Sequence, residues 1–423
     1  MNPAAIAILI LALMAAAFLT QRIPHYLTAV AGSLAMAACG ILPAKSLFAG
    51  FSNPTLILFA GMFVIGEALF RTGLADAAGA WAVRRLGRGE RPLLWASMVA
   101  AGLLSTVASN TGTAAALLPV IIGMCAAAGI PASRILMPMA FATGFGGFSA
   151  LIGTPPNMIV SEALSHAGFR PFGFFEFAWL GIPLFIAGMA YMDWARRWLP
   201  QGPAPAAAQA HDPAAPLTAA SPWKMAVAAL ILLAVVVVMA SGWQGLPLEA
   251  VAVAGAALCV ATGCLTGSQA IKGIEWETLI LFGSMFAVAL GLETSGATRH
   301  IASAMGTLLG AHPSAYALVA LPIAVTMLMG TVLSNTACAV IMAPIGLDLA
   351  ARTGADPRSI LMAIAFAGSC SFLTPVGTPP NMLVWGPGGY RFPDFVKVGA
   401  GLSLVSLITA VLIIPWRWPV FGS

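Results

Sequence analysis

Apolar runs of membrane-spanning length recur so regularly along these 423 residues that a water-soluble fold is excluded. The hydrocarbon core of a bilayer takes about 20 apolar residues per spanning helix. Runs of that kind lie near 4–20, 26–44, 54–71, 134–163 and 174–199, then near 224–241, 247–266, 277–296, 358–387 and 397–418. Composition agrees, with 60% of residues apolar and 8% charged, against roughly 45–50% and 25% in soluble domains. So little charge cannot cover a surface in water, which removes soluble enzymes, disordered chains and nucleic-acid binders despite a net charge of +5. The first twenty residues lack a basic leader and read as a retained helix rather than a cleaved signal.

Two further stretches, 93–127 and 315–351, are too long for one span. Each is broken by a polar cluster, Ser109-Asn110-Thr111 and Ser334-Asn335-Thr336. Paired short half-spans meeting at polar residues read as re-entrant hairpins, tolerable at membrane depth only inside protein or beside a wet cavity. These clusters belong to a larger duplication. Thr55-Leu56-Ile57-Leu58-Phe59 returns as Thr278-Leu279-Ile280-Leu281-Phe282, and the Ser-Asn-Thr cluster returns 225 positions later. Gly153-Thr154-Pro155-Pro156-Asn157-Met158 returns as Gly377-Thr378-Pro379-Pro380-Asn381-Met382. Order and spacing match for all three elements, the signature of an internal repeat.

The expected architecture is an all-α polytopic membrane protein. Two repeats, 1–199 and 223–423, are joined by a Pro/Ala-rich linker at 200–222. Each repeat carries five transmembrane helices plus one re-entrant hairpin, and an odd number of full crossings inverts the second repeat relative to the first. Loop charge gives an independent orientation. Six of the 19 lysines and arginines (Lys45, Arg170, Arg299, Arg352, Arg358 and Arg417) fall on one side and the other thirteen opposite. By the positive-inside rule the linker is cytoplasmic and both termini lie outside a cell (inner) membrane. Residues 74–91 and 297–313, of mixed apolar and basic character, suit helices lying along the membrane surface.

Catalytic patterns are missing from the sequence: no Cys–His or Ser–His–Asp spacing, no phosphate-cradling loop, no HExxH and no organic-cofactor motif. The cysteines (Cys39, Cys125, Cys259, Cys264, Cys338 and Cys370) have no metal-ligand spacing and read as small hydrophobes in a bilayer. All five histidines sit in expected loops or span ends. Five ionisable residues fall inside expected spans, namely Glu67, Glu162, Asp193, Glu293 and Asp348. None has a counterpart in the other repeat. The duplicated elements differ in kind. Tandem prolines remove backbone donors and free carbonyls, which with hydroxyls and amides are hard oxygen ligands for an alkali cation. Half-helix N-termini favour an anion. Broken helices in inverted repeats are how secondary transporters bind solute and coupling ion near mid-membrane. With no basic residue in the four elements, a bound anion depends on Asn and Thr donors, helix ends and bound cations. Moving one charge through 100 mV costs about 2.3 kcal/mol. Two sodium ions would cancel a dianion's charge, and a third would make its entry electrically favourable.

These paired Ser-Asn-Thr tips and Gly-Thr-Pro-Pro-Asn breaks resemble the divalent anion:sodium symporters of the ion transporter superfamily, and the resemblance covers nearly the whole chain. It implies a homodimer whose mobile domain moves like an elevator against a scaffold domain. It implies that Asn110, Thr111, Asn335, Thr336, Thr378 and Pro379 face the carboxylates of a small anionic substrate. One sodium would be surrounded by Ser105, Ser109, Asn110 and Gly153, and a second in part by Asn335 and Gly377. Gly330 stands where the second site expects a hydroxyl residue, as Ser105 stands in the first. Ten spans are expected where many members have eleven. The function this implies is sodium-coupled symport of a di- or tricarboxylate of the succinate, malate and citrate class. The alternatives are an anion exchanger without sodium coupling, or a sulfate, arsenite or sodium/proton transporter of the same superfamily.

Overall fold

The computed structural model describes residues 2–20, 22–74, 77, 89–200, 221–241, 245–310, 312–331, 333–375 and 377–421. Residues 201–220 of the linker expected at 200–222, whose last residue Pro222 already starts a helix, and nearly all of the expected surface helix at 74–91 lie outside the described residues. Eighteen α-helices form among the described residues. In chain order they are α1 (Pro3–Thr20), α2 (His25–Ala38), α3 (Pro54–Arg71), α4 (Glu90–Ser105), α5 (Asn110–Ala128), α6 (Ser133–Phe148), α7 (Pro155–His166) and α8 (Ala178–Ala195). They continue as α9 (Pro222–Ala240), α10 (Leu248–Ala261), α11 (Gly267–Gly273), α12 (Trp276–Thr294) and α13 (Ala297–Leu309). The last five are α14 (Ala315–Met329), α15 (Asn335–Thr353), α16 (Pro357–Ser369), α17 (Pro379–Gly388) and α18 (Phe392–Arg417).

By length and composition, six helical segments among the described residues suffice to cross a membrane: the run 44–71 ending with α3, and α5, α9, α12, α15 and α18. The expected spans at 134–163 and 358–387 each divide into two helices, α6 with α7 and α16 with α17, because the Gly-Thr-Pro-Pro sequence breaks the ladder. The hairpin arms are longer than half-spans. Helices α4 and α5 have 16 and 19 residues, and α14 and α15 have 15 and 19. Pro119 and Pro344 interrupt the longer arms at matching positions. The segment expected at 297–313 forms helix α13, with Ala297, Thr298, Ala302 and Met305 buried and Arg299, His300 and Leu308 exposed.

Packing partners recur between the two halves of the chain. Helix α3 packs on α10 as α12 packs on α2, α4 on α6 as α14 on α16, and α7 on α15 as α17 on α5. Small residues permit these approaches, as expected where helices must associate without a hydrophobic drive. A methyl group on Gly146 would collide with the Gly102 backbone between α6 and α4, and one on Gly61 would lie 2.8 Å from Ala252 between α3 and α10. The effect is to bring the starts of α5, α7, α15 and α17 around one interior space.

Candidate functional site

Each of those four helices begins in a way its sequence dictates. Ser109 and Ser334 are extended N-caps whose hydroxyls accept from the backbone N–H of Gly112 (3.0 Å) and Ala337 (3.3 Å). Such caps satisfy donors that a helix start leaves free. Thr154 and Thr378 hold nearly the same extended backbone (φ −139°, ψ 143° and φ −142°, ψ 144°), each followed by two prolines that start α7 and α17. The asparagine closing each break repairs it. Asn157 Nδ2 donates to the carbonyls of Phe148 (2.9 Å) and Ala150 (2.8 Å), and Asn381 Nδ2 to those of Ser371 and Thr374 (both 3.1 Å). Both side chains are buried, so they hold the breaks open rather than face a ligand.

Between the four starts lies a cavity of about 440 Å³, within the roughly 300–1,000 Å³ of small-molecule sites. All six residues expected to face substrate (Asn110, Thr111, Asn335, Thr336, Thr378 and Pro379) line it. Of those expected around cations, Ser109, Asn110, Gly153, Asn335 and Gly377 line it as well. Ser105 lies buried behind the wall and donates its hydroxyl to Asn110 Oδ1. Phe59, Met62, Phe63 and Leu281 add an apolar surface. Four helix N-termini, each carrying about half a positive charge, therefore share one cavity with two duplicated amide–hydroxyl pairs and no lysine or arginine among the lining residues.

The two halves of the site differ by a relocated hydroxyl. In the first half Ser105 donates to Asn110 Oδ1, and position 147 is glycine. In the second half position 330 is glycine, and Ser371, the counterpart of Gly147, donates to Asn335 Oδ1 at 2.8 Å. Each glycine clears the space its partner uses. A methyl on Gly147 would strike Asn110 Oδ1, and one on Gly330 would lie 2.9 Å from Ser371 Oγ.

The five ionisable residues expected inside spans lie away from the cavity wall. Glu67 pairs with Arg71 at 2.7 Å, and Asp193 with Arg91 at 2.8 Å. Glu162 accepts from Thr55 Oγ1 at 2.6 Å and from Asn53 Nδ2, joining α7 to the start of α3. Pro155 and Ser334, which stand in the duplicated elements, line the cavity too, whereas sequence reasoning missed His25, Tyr26, Glu275, Glu277 and Thr278 as lining residues. Duplication could have pointed to Thr278, the counterpart of Thr55. Glu275 and Glu277 come from just before and just inside the start of α12. Burial pushes the Glu275 carboxyl above its usual value, while the hydroxyls of Ser109 and Thr278 favour its charged form.

The chain matches the family model described as CitMHS, citrate transporter, over residues 15–327 and 311–421. It is 23% identical over 592 residues to the uncharacterized transporter YfbS of Escherichia coli, covering 95% of this chain and 97% of that one. To the sodium-dependent dicarboxylate transporter SdcS of Staphylococcus saprophyticus it is 24% identical over 442 residues, covering 95% and 84%. The crystal structure of the Alcanivorax borkumensis YdaH transporter shares the fold with a TM-score of 0.62 at 17% identity over 100% of both chains.

Proposed function

This chain belongs to the CitMHS citrate transporter family, and from that premise we propose that it is a sodium-coupled symporter of a di- or tricarboxylate. It is a multi-pass membrane transporter and not an enzyme. The observation that carries the finer reading is the single cavity shared by both Ser-Asn-Thr tips and both Gly-Thr-Pro-Pro breaks. Asn110, Thr111, Asn335, Thr336 and Thr378 offer donors to carboxylates, and Pro379 packs beside them. The carboxylates also meet the positive ends of four helices. Freed carbonyls at Gly153 and Gly377, with the side-chain oxygens of Ser105, Ser109, Asn110 and Asn335, would take sodium ions. In the second half Ser371 supplies the hydroxyl that position 330 lacks. Anion and cation then support one another, because neither meets a fixed opposite charge in these motifs. The dicarboxylate and sodium named for the Staphylococcus relative support this choice of solute and ion.

Two inverted repeats, 1–199 and 223–423, account for the reciprocal helix packing. The motif-bearing helices α4–α8 and α14–α18 pack chiefly on one another, as do α1–α3 with α9–α12. That division suits a mobile body moving like an elevator against a frame, in a homodimer of the cell (inner) membrane with a cytoplasmic linker and both termini outside. Uptake of labelled succinate into proteoliposomes is expected to rise with external sodium and to stop without it. Uptake indifferent to sodium but stimulated by internal dicarboxylate would replace symport with anion exchange.

A further inference from the structure

Helices α8 and α18 pack on one another, and each turns an apolar stripe outward. Trp179, Ile182 and Ile186 are exposed on α8, and Leu404, Ile408 and Leu412 on α18. The two ends of this paired surface differ in charge. At one end a single cation, Arg417, lies 5.2 Å from the Trp179 ring centroid, near Glu176, which Arg358 and Trp418 Nε1 already hold. At the other end the starts of α4, α6 and α18 meet the end of α8 and the short turn Arg196–Trp198. The carboxylates there are already engaged. Glu90 pairs with Arg134 (2.8 Å) and Arg196 (3.3 Å), Asp193 with Arg91 (2.8 Å), and Asp394 accepts from the Arg391 backbone N–H (2.7 Å). Arg197, Arg391 and Lys397 are exposed and in no ion pair among the described residues. Aromatic rings connect two of these cations. The Arg197 guanidinium lies 4.6 Å from the centroid of Trp194, Trp194 meets Trp198 edge-on at 4.3 Å, and Lys397 Nζ lies 6.0 Å from the Trp198 centroid.

We propose that this corner binds an anionic phospholipid, its phosphate beside Arg197 and Lys397 and its acyl chains along the stripes of α8 and α18. Tryptophan rings favour the depth at which headgroup meets tail, and half of Trp194 is exposed there. A guanidinium and an ammonium at that depth complement a phosphodiester. The corner also lies on the membrane side expected to be cytoplasmic, where anionic lipids concentrate. A second copy of this chain is a poorer occupant, because a two-fold contact across this face would set the same cations against each other. None of these residues lines the cavity, so the site is independent of the solute carried.

The test is thermal unfolding of the purified full chain in detergent, titrated with dioleoylphosphatidylglycerol or with dioleoylphosphatidylcholine. The parent should be stabilised more by the phosphatidylglycerol, at concentrations where glycerol 3-phosphate has no effect. Arg197→Gln combined with Lys397→Gln should raise the phosphatidylglycerol concentration for half-maximal stabilisation by about tenfold or more, the worth of two cations at an anionic lipid surface. The phosphatidylcholine response should stay at the parent's level, which shows that the variant is folded. Each single substitution should lose part of the effect and carries the test should the pair not fold. Arg417→Gln, at the far end of the same stripes, should lose none of it. Equal stabilisation of the parent by both lipids, an unchanged phosphatidylglycerol response in the double variant, or the same loss in Arg417→Gln overturns the proposal. Stabilisation by glycerol 3-phosphate alone would give the cations to a free phosphate, and a changed oligomeric state of the double variant would give the face to a second copy. Either overturns it too.

Discussion

Asn110→Ala and Asn335→Ala are each expected to lower sodium-driven succinate uptake by at least about a hundredfold while leaving the protein folded. Each amide lines the cavity, and each Oδ1 is oriented by a serine, Ser105 in one half and Ser371 at 2.8 Å in the other. If the proposed site holds, alanine removes a donor to a charged carboxylate, about 1.5–3 kcal/mol, together with an oxygen offered to the cation. A combined loss near 2.8 kcal/mol is about a hundredfold. The helix starts should survive, because the caps that hold them are the hydroxyls of Ser109 and Ser334, bonded to Gly112 and Ala337. Size-exclusion profiles and melting curves of the purified variants separate loss of transport from loss of fold. Retained uptake in both variants would remove the motifs from the transport site.

Ser371→Ala is expected to raise the sodium concentration for half-maximal stabilisation about tenfold, a loss near 1.4 kcal/mol. The geometry also predicts a rescue. Gly330→Ser combined with Ser371→Gly copies the arrangement of the first half, in which Ser105 donates and Gly147 makes room. The double variant should recover most of the sodium affinity, whereas Gly330→Ser alone should crowd Ser371, whose Oγ lies 2.9 Å from where the new Cβ would sit. The coupling between the two changes, measured as a double-mutant cycle, should therefore be large and favourable. Additive effects would mean that the two positions do not serve one ligand.

What the sequence displays and what it hides both follow from locality. The bounds of α3 are legible because Asn53 accepts from the Thr55 N–H at 2.8 Å and Pro54 opens the helix, so the signals lie within the segment they define. The same holds for the breaks at Thr154 and Thr378, where tandem prolines dictate the outcome locally. Duplication then assembles four such breaks into one expected site, and all of them line the cavity. Short α11, by contrast, was not anticipated, because its capping box of Thr266 and Gln269 lies between apolar runs that dominate the pattern. Glu275 was also hidden. It lies outside every apolar run, and only the meeting of α12 with the α4–α5 tip sets it on the cavity wall. The missing hydroxyl at Gly330 is visible by comparing repeats. Its replacement by Ser371 is not, since those residues are 41 positions apart and meet only in the folded chain. Glu162, suspected because it lies in an apolar run, instead accepts hydrogen bonds from Asn53 and Thr55 at the start of α3.

Interdependence of anion and cation in the shared cavity is measured most directly by thermal stabilisation of the purified protein across a panel of anions, with sodium and with potassium. Succinate, malate or citrate should raise the melting temperature strongly in sodium and hardly at all in potassium, and sodium should gain stabilising power when the anion is present. Equal stabilisation by the same anion in either salt, or none by any carboxylate, would contradict a jointly built site.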